Sequence, residues 1–210
     1  MKKLLSLAAA FLLCAGVQAP IVSSRQHSET QWFLRGGLNV MKMTGDGAED
    51  TGSKLGYNFV YGFQKPLGSV GTYWGMEFGL GSRGWKVEEN ESDYEYSLSL
   101  MAHNVQVSPF TFGYKYNITD ALAVDAHLGA YVSCDYVGKI KEKESYQGDS
   151  EETSVNMGDW EDWKRVDAGM NIGIGIWYDR FNLDFTYQRG FIKTWECNTS
   201  NVLIRLGVAF

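Results

Sequence analysis

The stretch that decides the fold is NVLIRLGVAF, residues 201–210. Every second side chain from Val202 to Phe210 is apolar, whereas Arg205 and Gly207 lie between them. Because successive side chains of a strand point to opposite faces, this pattern predicts a β-strand with one face in an apolar environment.

The same alternation recurs upstream and predicts eight strands in total. The clearest example is KRVDAGMNIGIGIWY (164–178), in which the even-numbered residues from Val166 to Tyr178 are apolar and those between are small, polar or aromatic. Only Asp179-Arg180 separates it from the next alternating run, so a tight hairpin is predicted there. The remaining predicted strands lie within residues 31–40, 54–65, 72–85, 94–116, 121–136 and 180–192.

One predicted strand contains a change of phase. Val105 and Val107 alternate in one phase, and the aromatic residues from Phe110 onward alternate in the other. Proline cannot donate to a strand ladder and is found at bulges and edges. A β-bulge is therefore predicted at Ser108-Pro109.

The faces opposite the apolar ones carry charge, which decides between two kinds of barrel. A soluble barrel or sandwich would turn its apolar face inward and leave the charged face in water. Here the apolar faces carry large aromatic and aliphatic residues strand after strand, more than a small interior holds. Turning the charged faces inward instead would bury these charges in a soluble core, which would be costly. An all-β, eight-stranded antiparallel up-and-down transmembrane β-barrel is predicted instead, with a plugged lumen. The predicted lumen charges are Arg35, Glu77, Lys115, Asp125, Asp167, Asp184 and Arg205.

The connections between predicted strands alternate between short turns and longer polar segments, as in bacterial outer-membrane barrels. The longest predicted loop runs from about residue 139 to residue 162 and carries mostly acidic charge, so it is expected outside the cell. Trp160 and Trp163 at its end are expected in the outer aromatic girdle. Both termini are expected on the periplasmic side.

The N-terminal residues predict export. Lys2 and Lys3 precede an apolar run of about 14 residues, too short for a transmembrane helix, and small residues follow before Ala19. The predicted organisation is a signal peptide at 1–19, a lead segment at 20–30 and an outer-membrane β-barrel domain at 31–210. The net charge of −6 argues against nucleic-acid binding.

Two resemblances agree with this prediction. The terminal strand resembles the C-terminal insertion signal of bacterial outer-membrane proteins, which end in an aromatic residue and are read by the assembly machinery. The runs GMEFGLGSRGWK (75–86) and VQVSPFTFGYKYNITDALAVDAHLGAYV (105–132) resemble the small outer-membrane β-barrel family related to PorT. That resemblance implies a bacterial outer-membrane location and, for most members, no known reaction.

The functional prediction is a non-enzymatic outer-membrane barrel with a closed lumen and a structural or interaction role. No catalytic, cofactor or metal residues are assigned. The alternative is a small transport channel or an enzyme with a site around Asp125 and His127, which share one face of a strand. Expected partners are outer-membrane lipids, the assembly machinery through the last strand, and an envelope protein. Whether Cys134 and Cys197 pair is left open.

Overall fold

The computed structural model describes residues 29–48, 51–91, 94–146, 149–159 and 163–210. The predicted signal peptide and the lead segment up to residue 28 lie outside the described residues. The division of the chain at residue 19 therefore stays a prediction.

Ten strands make up nearly all of the described chain. Eight of them close into an antiparallel ring in the order β1-β3-β4-β5-β6-β8-β9-β10, and β10 pairs with β1 to complete it. This confirms the predicted eight-stranded barrel. The strands are β1 (Gln31–Thr44), β2 (Thr51–Gly52), β3 (Lys54–Pro66), β4 (Thr72–Glu91), β5 (Tyr94–Asn117), β6 (Leu122–Tyr146), β7 (Asp149–Asn156), β8 (Val166–Tyr178), β9 (Phe181–Gly190) and β10 (Asn198–Ala209).

A short 3-10 helix, Met157–Asp159, follows β7. Among the residues that the structure describes, none belongs to a helix long and apolar enough to span a membrane.

The strands face the way the alternation predicts. On β10, Leu206 is 65% exposed on the outer surface, whereas the neighbouring Arg205 is 2% exposed inside the ring. Ile172 and Ile174 of β8 likewise lie on the outer surface. The apolar faces therefore form the outside of the barrel and the polar faces fill its lumen.

The predicted bulge is present. Val107 pairs with Val132 and Phe110 pairs with Ala130, so two residues of β5 lie opposite one residue of β6 at Ser108-Pro109. The extra residue restores the outward direction of the following aromatic side chains.

A band of outward aromatic side chains surrounds the end of the barrel with the short turns. Trp32 contacts Tyr61 and Phe63, at ring-centroid distances of 5.4 and 5.1 Å, and Phe63 contacts Trp74 at 5.2 Å. Phe210 joins this band, with its ring 6.4 Å from Tyr61. Its backbone N–H also donates to Trp32 O over 2.9 Å, which ties the end of β10 to the start of β1.

The predicted long loop at 139–162 is wrong over most of its length, because residues 139–146 and 149–156 lie in strands. β6 continues to Tyr146, and β7 returns beside it to form a hairpin that extends the sheet. β4 also continues beyond its predicted end at residue 85, to Glu91, so only residues 92 and 93 separate it from β5. In the β6–β7 hairpin, charged residues pair across the strands in solvent, for example Lys141 Nζ with Glu152 Oε1 at 2.6 Å. The hairpin therefore needs no apolar face.

Inward glycines on β8 make room for large polar side chains. A Cβ atom at Gly173 would lie 2.5 Å from His127 Nε2, and one at Gly175 would collide with the Asp125 carboxylate. These two glycines therefore allow Asp125 and His127 to lie flat against the neighbouring strand.

Replacing Phe210 by Asp should slow assembly of the barrel. The change removes a ring from the aromatic band and puts a charge where the predicted insertion signal has an aromatic residue. Pulse-chase labelling, with the faster electrophoretic mobility of the folded barrel as readout, should show unassembled protein in the periplasm. Phe191→Asp, just beyond β9 at the other end, is the control; equal assembly rates for Phe210→Asp and wild type would contradict the prediction.

Replacing Gly175 by Ala should destabilise the barrel by about 1–3 kcal/mol, because the added methyl group displaces Asp125 from its partners. In an unhindered strand the same change would stabilise by up to about 1 kcal/mol. Urea unfolding in detergent or lipid measures the difference. Gly158→Ala, where the new atom meets only the Arg165 side chain, should change stability by less than about 0.5 kcal/mol. A stabilised Gly175→Ala variant would contradict the packing described here.

Candidate functional site

The charged side chains of the lumen form two clusters, one above the other along the barrel axis. The lower cluster lies toward the short turns and the upper cluster toward the ends of the long strands. The lower cluster contains Arg35, Glu77, Asp125, His127, Asp184 and Arg205, and the upper cluster contains Arg83, Asp135 and Asp167.

In the lower cluster, two arginines share two carboxylates. Arg205 Nη2 lies 2.6 Å from Asp184 Oδ1, and its Nη1 lies 3.3 Å from Glu77 Oε2. Arg35 Nη1 lies 3.0 Å from Glu77 Oε1 and 3.6 Å from Asp184 Oδ2. All four come from different strands, so this square of ion pairs joins β1, β4, β9 and β10 across the lumen.

Asp125 and His127 are brought together, as the alternation predicted. His127 Nδ1 lies 2.9 Å from Asp125 Oδ1, and Tyr73 Oη donates to the same oxygen over 2.9 Å. The indole N–H of Trp177 donates to the other oxygen. Asp125 is therefore held by neutral donors and one imidazole rather than by an arginine.

The other nitrogen of the His127 ring contacts a hydroxyl group. His127 Nε2 lies 3.2 Å from Thr186 Oγ1, which in turn donates to Asp184 Oδ1 over 2.9 Å. The order of carboxylate, imidazole and hydroxyl is that of a nucleophilic triad. Thr186 is only 3% exposed, however, and Arg205 also donates to its oxygen over 3.1 Å. The hydroxyl is therefore a buried member of the ion-pair network.

The upper cluster is centred on Arg83, which donates to both oxygens of Asp135 over 3.0 and 2.8 Å. Its Nη1 lies 3.6 Å from Asp167 Oδ2, which also accepts from Tyr131 over 3.2 Å and from Thr199 over 2.5 Å. The guanidinium also donates to the backbone oxygen of residue 164.

Trp163 seals the upper cluster and is not in the outer aromatic girdle, so that prediction is wrong. It is 5% exposed, its indole N–H donates to Asp135 Oδ2 over 2.8 Å, and its ring lies 4.8 Å from the Arg83 guanidinium carbon. The inward position of the Trp163 ring is favourable because the buried Asp135 carboxylate gains a hydrogen bond and the Arg83 guanidinium gains a cation–π contact. Trp160 lies outside the described residues.

Apolar side chains close the lumen beyond each cluster. The lower plug lies at the short-turn end, and the upper plug fills the mouth between the long strands. The lower plug consists of Phe33, Val60, Ala123, Trp177 and Ala209, and the upper plug of Met43, Ala48, Trp85, Leu100, Ala102, Ile140, Met157, Trp163 and Cys197.

Small cavities between described residues lie in the lumen and at its mouth. Between the clusters, a space of about 10 Å³ is surrounded mainly by amide and hydroxyl side chains, which is room for about one water molecule. At the short-turn mouth, a space of about 50 Å³ is lined in part by Gln31, Gln64 and Lys115. Neither Asp125 nor His127 lines either cavity.

Lys115 binds two glutamine side chains at the short-turn end of the lumen. Its Nζ donates to Gln31 Oε1 over 2.9 Å and to Gln64 Oε1 over 3.0 Å, and it lies 3.7 Å from the centre of the Trp177 ring. Within the described ranges it makes no ion pair with a carboxylate. The other six predicted lumen charges are all buried inside the barrel.

Cys134 and Cys197 are unpaired. Cys134 is exposed on the outer surface, whereas Cys197 is buried, with its Sγ 3.5 Å from the backbone oxygen of Asp46. Burial raises the pKa of the Cys197 thiol. In the part of the chain that the structure describes, no group of three or more His, Cys, Asp or Glu side chains could hold a metal ion.

Arg83 and Asp135 are buried lumen charges that the sequence analysis missed. Both continue the inward phase of their strands, Arg83 after Gly79 and Gly81, and Asp135 after Ser133. Following the alternation to the end of each strand could have identified them.

Three solved structures of other outer-membrane proteins are distantly similar to this chain. No curated protein sequence matches the chain. The crystal structure of Ail, the attachment invasion locus protein of Yersinia pestis, is 17% identical over 87% of this chain and 99% of Ail, with a TM-score of 0.43. Neisserial surface protein A is 12% identical over 85% of this chain and 97% of its own, with a TM-score of 0.41. The N-terminal β-barrel domain of Pseudomonas aeruginosa OprF is 9% identical over 86% of this chain and 97% of that domain, with a TM-score of 0.35.

The sequence profile of one family covers most of the chain. The profile described as "Outer membrane protein beta-barrel domain" matches residues 18–196, which include all barrel strands except β10. With the closed ring and its apolar exterior, this match assigns the protein to the bacterial outer membrane. The chain belongs to the outer membrane protein beta-barrel domain family.

Proposed function

We propose that the chain is a PorT-like, non-enzymatic member of this family, with a closed lumen, that anchors an extracellular sheet for contact with another protein. The barrel is held in outer-membrane lipids, and the assembly machinery binds its last strand. The PorT-like assignment rests on the resemblance of residues 75–86 and 105–132. The observation that carries the closed lumen is the filling of the barrel interior by two ion-pair clusters between two apolar plugs.

The filled lumen argues against the two alternatives. A transport channel needs a continuous water-filled path, and the cavity between the clusters is about 10 Å³. An enzyme with a site around Asp125 and His127 needs a substrate space beside them, and both side chains are buried among their hydrogen-bond partners. The arrangement supports a structural and interaction role, in which the barrel is a rigid membrane anchor.

Purified protein in planar lipid bilayers should show no steady conductance, because both ends of the lumen are blocked by apolar side chains and its centre by paired charges. Single-channel recording measures this directly. A porin recorded in the same membranes is the positive control. Reproducible channels of uniform conductance would contradict the closed lumen and support the transport alternative.

Replacing Arg205 by Leu should destabilise the barrel by about 3–5 kcal/mol, because Asp184 and Glu77 lose a buried partner. Unfolding in urea, followed by tryptophan fluorescence, gives the free-energy change. Lys141→Leu removes the exposed pair with Glu152 and should cost less than about 1 kcal/mol. Equal costs for the two variants would contradict the importance of the lumen network.

A further inference from the structure

Four strands rise well above the rest of the barrel. β5 and β6 contain 24 and 25 residues, whereas about 9–11 residues suffice for a tilted strand to cross the hydrocarbon core. The additional residues of these strands lie at the end of the barrel away from the short turns. We call the upper parts of β4 to β7 the projecting sheet, which comprises residues 85–91, 94–101, 139–146 and 149–156.

The register defines the face of this sheet that points toward the barrel mouth. Its lowest row is apolar, with Trp85, Leu100 and Ile140 buried in the upper plug. The next row keeps Val87 and Leu98 packed against that plug. The row above it is polar and crosses all four strands: Glu89, Tyr96, Glu144 and Glu151 are successive cross-strand partners.

This face is not balanced in charge. Glu144 lies directly opposite Glu151, and like charges in that position are destabilising. Tyr96 Oη donates to Glu142 Oε1 over 3.0 Å, and partial burial, that hydrogen bond and the nearby Glu144 raise the pKa of Tyr96. Within the described ranges, no cationic side chain forms an ion pair with Glu89, Glu142, Glu144 or Glu151.

The opposite face of the same strands is matched in charge. Lys141 Nζ lies 2.6 Å from Glu152 Oε1, and Lys86 Nζ lies 2.7 Å from Glu88 Oε2. Lys143 is also the direct cross-strand partner of Glu152. Among the described side chains of this sheet, the outward face therefore carries both signs of charge, whereas the mouth-facing side carries acids and no cation. A local conflict of this kind is expected at a functional surface.

The outer edge of this sheet is open. In the described part of the chain, β7 pairs with β6 and with no other strand. All its residues with a described side chain are exposed, and its charged residues, Asp149, Glu151 and Glu152, are acidic. An open edge offers backbone donors and acceptors to an incoming strand. A second copy of this chain would bring the same acids against it, so charge disfavours pairing between copies.

We propose that the mouth-facing side of the projecting sheet is a docking surface for an extended, cationic polypeptide segment of another protein. The segment adds to the β7 edge and places Lys or Arg side chains beside Glu151 and, one strand further in, toward Glu144. This deepens the proposed function, on which it rests, by naming the chemistry of the partner.

The test uses the full-length protein in lipid nanodiscs and a fluorescent decapeptide of alternating lysine and threonine as the probe. Fluorescence anisotropy should show saturable binding that weakens with salt and is absent for the matching glutamate–threonine peptide. Glu144→Gln with Glu151→Gln should weaken binding at least about tenfold, which is 1.4 kcal/mol. Glu95→Gln with Glu152→Gln removes the same charge from the opposite face and should change binding less than twofold. Both variants should keep the thermal stability of the wild-type barrel.

Three outcomes would overturn the proposal: no binding of the lysine peptide, equal weakening by both double variants, or saturable binding of calcium chloride by Glu144 and Glu151 without binding of the peptide. Equal weakening would indicate only general attraction to a negative surface, and calcium binding would indicate an ion site. None of these outcomes bears on the closed lumen, since bilayer conductance tests that separately. If the protein formed channels in the bilayer and also bound the peptide, the proposal of a closed lumen would be wrong and the proposal of a docking surface would be supported.

Discussion

Arg205 and Asp184 contact each other at 2.6 Å in a place where neither side chain reaches bulk water. Removing two charges from water is costly, and the cost is offset only when geometry and additional hydrogen bonds are good. Here Arg205 also reaches Glu77 and Thr186, and Arg35 bridges the same two carboxylates. These contacts join four barrel strands across the middle of the lumen, where the outward apolar side chains do not reach.

The remaining architecture follows from this constraint. With lipid outside, eight strands enclose an interior just wide enough for side chains to fill. Glycines on β8 leave room for Asp125 and His127, and apolar residues close the lumen above and below the charges. A barrel closed in this way offers its surroundings only its external surface. The long strands β4 to β7 concentrate that surface in one sheet, in which the described outward side chains carry both signs of charge and the described mouth-facing ones carry only acids. A rigid lumen and an asymmetric external sheet suit a protein that holds a partner at the cell surface.

The sequence predicted the number of barrel strands, their facing and the bulge at Ser108-Pro109, because each depends on alternation or on the missing donor of proline. It did not predict the extent of β6, since the run KIKEKE (139–144) lacks the apolar contrast by which alternation is recognised. Arg83 and Asp135 lay within reach of the same pattern. The inward position of Trp163 could not be read from this pattern, because it depends on contacts with Asp135 of β6 and Arg83 of β4. Nor could sequence alone show that Lys115 binds two glutamines, since partners across a lumen are set by the ring geometry.

The central claim is that the lumen charges act as one coupled network. A double-mutant cycle on Arg205→Met and Asp184→Asn, followed by reversible unfolding in lipid, tests it most directly. The account predicts that each single change costs several kcal/mol and that the double change costs less than their sum by about 1–3 kcal/mol, because the second change removes the charge that the first left unpaired. Additive costs, within about 0.5 kcal/mol, would contradict the account.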